Sequence, residues 1–270
     1  MTKPKSFAKL YFQIVSNEAK RFFVYHVNIY AGCLTALLAL AGRFALWLAL
    51  FTIGETDSIA SFSETMTFFI LADILMVWMA SRFSDTIGSD ISSGDIAQRL
   101  IRPYPYHLNL FAGFHSTSIT ATITRIIPIA IATFIFIEFI PPYSTGIFIL
   151  FLLSVILGCL IYYLVDLIIS YSAFWLTDFW YLSWFKNALF VLFGGLVVPI
   201  WFYPNWLRDI SAVLPFQFSI FIPIEIYLGR IMPNEMLSIF LMQLLWVAIL
   251  FALERFIWHT AQKKLVVQGG

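Results

Sequence analysis

Six continuous apolar stretches constrain this chain more than any other feature in it. They fall at about 31–53, 65–80, 116–140, 146–170, 184–202 and 237–258. A bilayer core of about 30 Å takes roughly 20 apolar helical residues to cross. The second stretch is short for that length and is expected to begin nearer Ser61. None of the six alternates between apolar and polar side chains, so helices rather than barrel strands are required. Composition points the same way. Of the 270 residues, 61% are hydrophobic and 11% charged, against roughly 45–50% apolar and about 25% charged in a soluble domain. The expected fold class is an all-α membrane protein with six transmembrane helices.

Orientation follows from the basic residues, which collect on the cytoplasmic side of membrane proteins. One side receives Lys3, Lys5, Lys9, Lys20 and Arg21, then Arg82, Arg99 and Arg102, then Lys186, Arg255, Lys263 and Lys264. The other receives Arg208 and Arg230. The asymmetry places both termini in the cytoplasm. A net charge of +1 gives no electrostatic footprint for a nucleic-acid partner. Residues 1–23 carry five basic side chains and no short apolar run closed by small residues, so they are not read as a cleaved signal.

The segments between the spans differ in character. In 1–23, Phe7, Leu10, Tyr11 and Ile14 recur at helical spacing, with Phe12 off the stripe. An amphipathic helix on the cytoplasmic surface fits this pattern; a disordered polar tail is the alternative. The loop at 81–115 is punctuated by Gly88, Gly94 and Pro103. Within it Ile87 and Ile91, then Ile96 and Leu100, pair at helical spacing. Asp95 is placed to cap a short helix ending before Pro103. Phe174, Trp175, Phe179, Trp180, Tyr181 and Trp184 form an aromatic belt. At 203–236 four prolines interrupt an apolar run too short to cross, which suits re-entrant or interfacial half-helices.

No catalytic pattern emerges. The chain lacks G-x-x-x-x-G-K-[ST], H-E-x-x-H and G-x-S-x-G. His26, His107, His115 and His259 lie far apart at expected membrane ends. Cys33 and Cys159 sit inside apolar runs as small buried side chains. No catalytic, cofactor-binding or metal-ligating residue is assigned. Charges at membrane depth carry more information, because an isolated one is costly there. Arg43 lies near the middle of the first stretch and Asp73 near the middle of the second. Antiparallel packing puts them at one depth, as an intramembrane charge pair that either locks the bundle or serves a substrate or proton path. Arg125 and Asp166, in the cytoplasmic halves of the third and fourth stretches, are a second, less well matched pair, and the alternative is that either snorkels to the interface. Glu254 and Arg255 are expected at the interface.

In order and spacing, these features resemble the permease subunits of ABC-2-type ABC exporters, in the branch whose permeases often come as two related chains. The amphipathic N-terminus and six spans are one feature. A second is Ile91–Pro103, where Gly94, Ile96, Leu100, Ile101, Arg102 and Pro103 match the family's G-x-[ILA]-x-x-x-L-[LI]-R-P segment. A third is the stretch with Pro199, Phe202-Tyr203-Pro204, Leu207, Leu214-Pro215-Phe216, Pro223 and Gly229. The resemblance covers nearly the whole chain and implies a single ABC-2-type transmembrane domain over 1–270. It implies a coupling helix at about 88–103 that docks on a separate ATPase. Gly94, Asp95, Arg99, Arg102 and Pro103 are the coupling residues proposed here, although Asp95 stands where the family varies. Arg99 and Arg102 serve equally well as ordinary positive-inside charges.

The implied assembly contains two ABC ATPase subunits holding ATP and magnesium, with none in this chain. It also contains a second permease, identical or related, in a bacterial inner membrane. The aromatic and aliphatic composition favours amphipathic or lipid-like cargo such as a peptide, antibiotic or glycolipid. A secondary transporter or channel working without ATP is the principal alternative, with Arg43 and Asp73 carrying ions. An embedded enzyme and a membrane scaffold are the remaining classes.

Overall fold

The computed structural model describes residues 26–54, 59–79, 83–101, 106–176 and 180–263, with residues 11, 15–17 and 20. All the regular structure among them is helical. In chain order the helices are α1 (His26–Ile53), α2 (Phe62–Met79), α3 (Phe83–Ser92), α4 (Asp95–Leu100), α5 (Tyr106–Ala121), α6 (Ile127–Phe136), α7 (Thr145–Tyr171), α8 (Trp180–Phe193), α9 (Asn205–Val213), α10 (Phe221–Tyr227) and α11 (Met236–Gln262). A π-helical turn at Thr122–Ile126 joins α5 to α6, and 3-10 turns lie at Ser172–Phe174, Ile200–Phe202 and Phe216–Ser219.

Five stretches are long and apolar enough to cross a bilayer: Ile29–Ile53, Phe62–Ser92, Tyr106–Ile135, Thr145–Phe174 and Met236–Gln262. The stretch expected at 184–202 takes another form. There α8 has 14 residues, about 21 Å at 1.5 Å per residue. The chain then turns at Gly194 and Gly195 and resumes as a 3-10 turn after Pro199. Proline and paired glycines prevent one straight helix. The second and third stretches are longer than the sequence implied. Phe62–Ser92 holds α2 and α3 in 31 residues, more than the roughly 20 a bilayer core takes. Similarly, α5 starts at Tyr106, ten residues before the expected 116. Most of the anticipated loop at 81–115 is therefore helix, because its polar side chains bind neighbouring helices rather than water.

Local chemistry accounts for the ends and bends. Ser61 and Glu64 form a capping box at α2: Glu64 N–H donates to Ser61 Oγ at 3.1 Å, and Ser61 N–H donates to Glu64 Oε2 at 2.9 Å. Ser144 caps α7 by accepting from Ile147 N–H at 3.2 Å. The π turn precedes Pro128, whose ring and missing N–H forbid an ordinary turn there. Along the same helix Ser118, Thr120, Thr122 and Thr124 donate to carbonyls four residues back, which relaxes and bends helices.

The core is organised around α7 and the α2–α3 unit. In Phe62–Ser92, 67% of the most apolar window is buried, against 17% for α1 and for α11. Thus α2 and α3 are central, whereas α1 and α11 present wide apolar faces outward, as lipid-facing helices do. Lipid supplies no hydrophobic force between helices, so close backbone approach and polar contacts hold them. Gly158 of α7 is such a point. A Cβ there would lie 2.6 Å from the Ser219 carbonyl oxygen. Beside it, Gln243 of α11 donates to Phe218 O at 2.9 Å and to Ser154 Oγ at 2.9 Å. One glycine and one glutamine thus seat the Phe216–Ser219 turn on two long helices.

Of the anticipated N-terminal helix at 1–23, residues 11, 15–17 and 20 are described and helical; the rest lies outside the described residues. Tyr11 is hydrogen-bonded to His115 Nδ1 of α5 at 2.7 Å.

Replacing Gly158 by Ala forces α7 away from the Ser219 carbonyl. The expected loss is about 1–3 kcal/mol, read as a lower unfolding temperature in detergent. An unchanged transition would show that the two backbones do not meet there.

Candidate functional site

Polar side chains gather at three depths. The most elaborate set ties α3 to α7 and α8. Lys186 of α8 and Asp166 of α7 form a 3.0 Å ion pair, with side chains 3% and 0% exposed. The Lys186 ammonium also lies 5.2 Å from the centre of the Tyr162 ring. Asp166 and Ser170 of α7 meet Ser84 of α3, with Ser84 Oγ 2.9 Å from Ser170 Oγ and donating to Asp166 Oδ1 at 3.5 Å. Ser183 of α8 donates to Asp85 of α3 at 3.3 Å. Burying a charge pair is tolerable only where additional hydrogen bonds complete it, and the serines do so.

Next to this set, α3 continues into α4 through Gly94, whose φ of +76° reverses the chain. A side chain at that φ is disfavoured by about 1–2 kcal/mol. Gly94 occupies the cap position and Asp95 is the first helical residue, so the expectation of Asp95 as cap is corrected: its backbone is already helical. Arg99 of α4 folds back onto Asp90 of α3 at 3.0 Å, and the Tyr106 hydroxyl donates to Asp90 at 2.8 Å. One carboxylate therefore fixes the angle between α3 and α4 and anchors both to α5. Of the five residues assigned to coupling, Gly94, Asp95 and Arg99 lie here; Arg102 and Pro103 fall outside the described residues.

A second carboxylate does the same for α11. Glu254, 3% exposed, is 3.3 Å from His107 Nε2 of α5 and accepts from the Tyr171 hydroxyl at 3.0 Å. Trp258 stacks on Tyr106 at 6.1 Å and closes over His107 at 5.0 Å. Glu254, expected at the interface, is buried instead because His107 and Tyr171 satisfy it.

At mid-membrane depth Arg43 of α1 and Asp73 of α2 form a salt bridge, and the guanidinium lies 5.5 Å from the Phe69 ring centre. The other anticipated pair does not form. Asp166 is taken by Lys186 on an adjacent helix, and Arg125 points outward from the π turn.

The segment at 200–230 builds the third set. Trp201 Nε1 donates to Glu225 Oε1 of α10 at 2.6 Å. The Arg230 guanidinium lies 4.0 Å from the Trp201 ring centre and donates to Ile59 O at 3.0 Å and to Glu64 of α2 at 3.4 Å. Arg208 donates to Trp201 O at 2.8 Å. Trp201, Arg208 and Glu225 wall a cavity of about 540 Å³ together with Ile59 and Gln217. Glu225 lies outside the candidate spans; burial raises its carboxyl from 4.5 to about 7, while the Trp201 N–H and the Arg230 charge act the other way.

A family model described as ABC-2 family transporter protein matches residues 37–269. The chain belongs to the ABC-2 transporter family. No curated protein and no solved structure matches it. For an ABC-2-type permease, which works with ABC ATPase subunits, the geometry has an order. The densest polar connections lie at the α3–α4 end, and the Arg43–Asp73 pair and the external set follow along the spans. Sequence alone named Arg43, Asp73 and the residues around Gly94. It missed Lys186, Asp166, Ser84 and Ser170 as one set. The available signal was that Lys186 and Asp166, each set in an apolar run, call for partners in lipid.

Two outcomes follow. Lys186→Met strands Asp166 and lowers stability by about 3–5 kcal/mol, while Lys186→Met with Asp166→Asn restores most of it. Detergent unfolding of the four proteins checks this, and strict additivity would exclude the pair. Glu225, held protonated in the fold and not in the unfolded chain, stabilises below about pH 4.5 and loses that contribution as pH rises through about 7. The unfolding temperature of the Glu225→Gln protein is therefore expected to fall less than that of the natural chain between about pH 5 and about pH 8.

Proposed function

We propose that this chain is the transmembrane half of an ATP-driven exporter, with two ATPase subunits supplying ATP hydrolysis and a second permease, identical or related, completing the pathway. ATP and magnesium sit on the ATPases. Both termini are cytoplasmic, and α8 with the Gly194–Phe202 turns makes a sixth, broken crossing before re-entrant helices α9 and α10. Cargo is amphipathic or lipid-like and passes along the permease interface in the bacterial inner membrane.

The observation that carries this reading is the α3–Gly94–α4 elbow, set against the absence of a P-loop. A chain that cannot cradle a nucleotide triphosphate needs an attachment to one that does. Together α2 and α3 hold more residues than a bilayer core takes, and α3 ends in the Gly94 reversal. Asp90 clamps that reversal to α5, and Ser84 clamps α3 to α7 and α8. A push on α4 is thereby delivered to four helices at once. Here Arg99 serves within the elbow, and Arg102 is the basic side chain left to meet acidic groups of the ATPase. The secondary-transport alternative is weakened because Arg43 and Asp73 neutralise each other.

In mild detergent a P-loop ATPase is expected to co-purify with the chain. Gly94→Val and Arg102→Ala are each expected to lower transport-coupled ATP turnover with expression unchanged. Full turnover in both proteins would remove the elbow from the mechanism.

A further inference from the structure

Two opposite charges line one cavity without meeting each other. Arg208 of α9 and Glu225 of α10 both wall the space of about 540 Å³, and they form no ion pair. Its size falls within the range of about 300–1,000 Å³ that holds small ligands. Trp201 engages both charges. Its carbonyl accepts from Arg208 Nη2 at 2.8 Å, and its indole N–H donates to Glu225 Oε1 at 2.6 Å. The main-chain end of one tryptophan thus holds the cation, and the ring end holds the carboxyl.

Each group keeps unused capacity. Glu225 Oε2 accepts no hydrogen bond among the described residues and is not sealed from solvent. The nearby Arg230 is committed to Glu64 and to Ile59 O. Arg208 binds carbonyls only, of Trp201 and Tyr203, and does so through Nη2. Its Nε and Nη1 therefore remain as donors, and its charge has no carboxylate partner among the described residues. Gln217 is buried and spends its amide N–H on Ala212 O at 3.1 Å, which leaves its carbonyl as an acceptor in the wall. Ile59, Ile200 and Phe221 supply apolar wall between these groups.

A ligand that carries only a cation leaves Arg208 unanswered, and one that carries only an anion leaves Glu225 and Gln217 without donors. Both ends are met by a zwitterion whose charges are several atoms apart, joined by apolar carbon. We propose that this cavity binds a short apolar peptide with free termini, its ammonium at Glu225 and Gln217 and its carboxylate at Arg208. The guanidinium fork suits a carboxylate in two-point contact. The proposal deepens the exporter reading by naming its cargo class, and it rests on that reading for the peptide's role as cargo.

The test is equilibrium dialysis of labelled leucyl-leucine against the purified chain in phosphatidylcholine nanodiscs. It is run near about pH 7.5, above the value of about 7 to which burial raises Glu225 and below the roughly 7.7–8.0 of a terminal amine. N-acetyl-leucyl-leucine lacks the cation and leucyl-leucinamide lacks the anion. Each is expected to bind at least about fivefold more weakly than the free dipeptide, the scale of one lost charge-assisted hydrogen bond. In Glu225→Gln the free and acetylated peptides are expected to bind alike, and in Arg208→Gln the acid and the amide are. Asp209→Asn, exposed on α9 and outside the cavity wall, keeps both preferences. Equal binding of all three peptides to the natural chain overturns the proposal, as do preferences that survive in monodisperse Glu225→Gln and Arg208→Gln. Phosphoethanolamine binding more tightly than the dipeptide also overturns it and assigns the cavity to a lipid headgroup. No ATPase enters these measurements, so ATPase co-purification still decides the exporter reading separately.

Discussion

The buried contact between Lys186 and Asp166 is the constraint on which the rest of the bundle depends. An ion pair sealed from solvent cannot relax into water when its helices shift, so α7 and α8 move together or not at all. Ser84 brings α3 into the same unit through Asp166 and Ser170. Because α3 is continuous in sequence with the central α2 and ends at the Gly94 reversal, a single polar cluster joins the elbow to the interior. The aromatic packing around it, Phe83 with Phe111 and Tyr163 and Tyr162 with Phe190, fills space between helices already positioned by charge.

The external segment solves a different problem. Residues 137–144 leave the helix, so their backbone groups need partners. Ile140 supplies both halves of the answer: its N–H donates to Thr67, and its carbonyl accepts from Tyr227 of α10. The α9–α10 segment is thus bound to the mouth of the bundle by the same rule that forces helices in the spans, that no backbone group goes unpaired. Trp201, Glu225 and Arg230 then fasten it to the capping box of α2. The result is a cap attached to the start of α2, the helix that precedes α3 and the elbow.

Most of the architecture was legible in the long apolar runs, because their length against the bilayer admits only helices. The Arg43–Asp73 contact was legible from depth alone, since the first two spans must be antiparallel. What escaped was set by geometry in three dimensions. Lys186 reads as a cytoplasmic flanking charge, and only the packing of α8 on α7 turns it inward. Residues 81–115 read as a loop because Ser84, Asp85 and Asp90 are polar, yet each is spent on a neighbouring helix. The fifth stretch read as one span because its composition is continuous, although Gly194, Gly195 and Pro199 break it. The rules for single helices are local, and these three features depend on partners far away in sequence.

The distribution of the locks bears on how the chain can move. At the α3–α4 end the polar contacts join six helices: α3 to α4, α5, α7 and α8, and α5 to α7 and α11. At the other end they join α2, α7 and α11 to the 200–230 segment. Between them lie the Arg43–Asp73 bridge, the Ser118 hydroxyl donating to the Trp78 carbonyl, and mostly apolar contacts, which slide at little cost because lipid and side chain are alike. A displacement imposed on α4 is therefore transmitted as a rigid motion of the locked end, and it is absorbed where the contacts are least specific. The π turn and the serine and threonine back-bonds place the most compliant helix, α5–α6, across that zone.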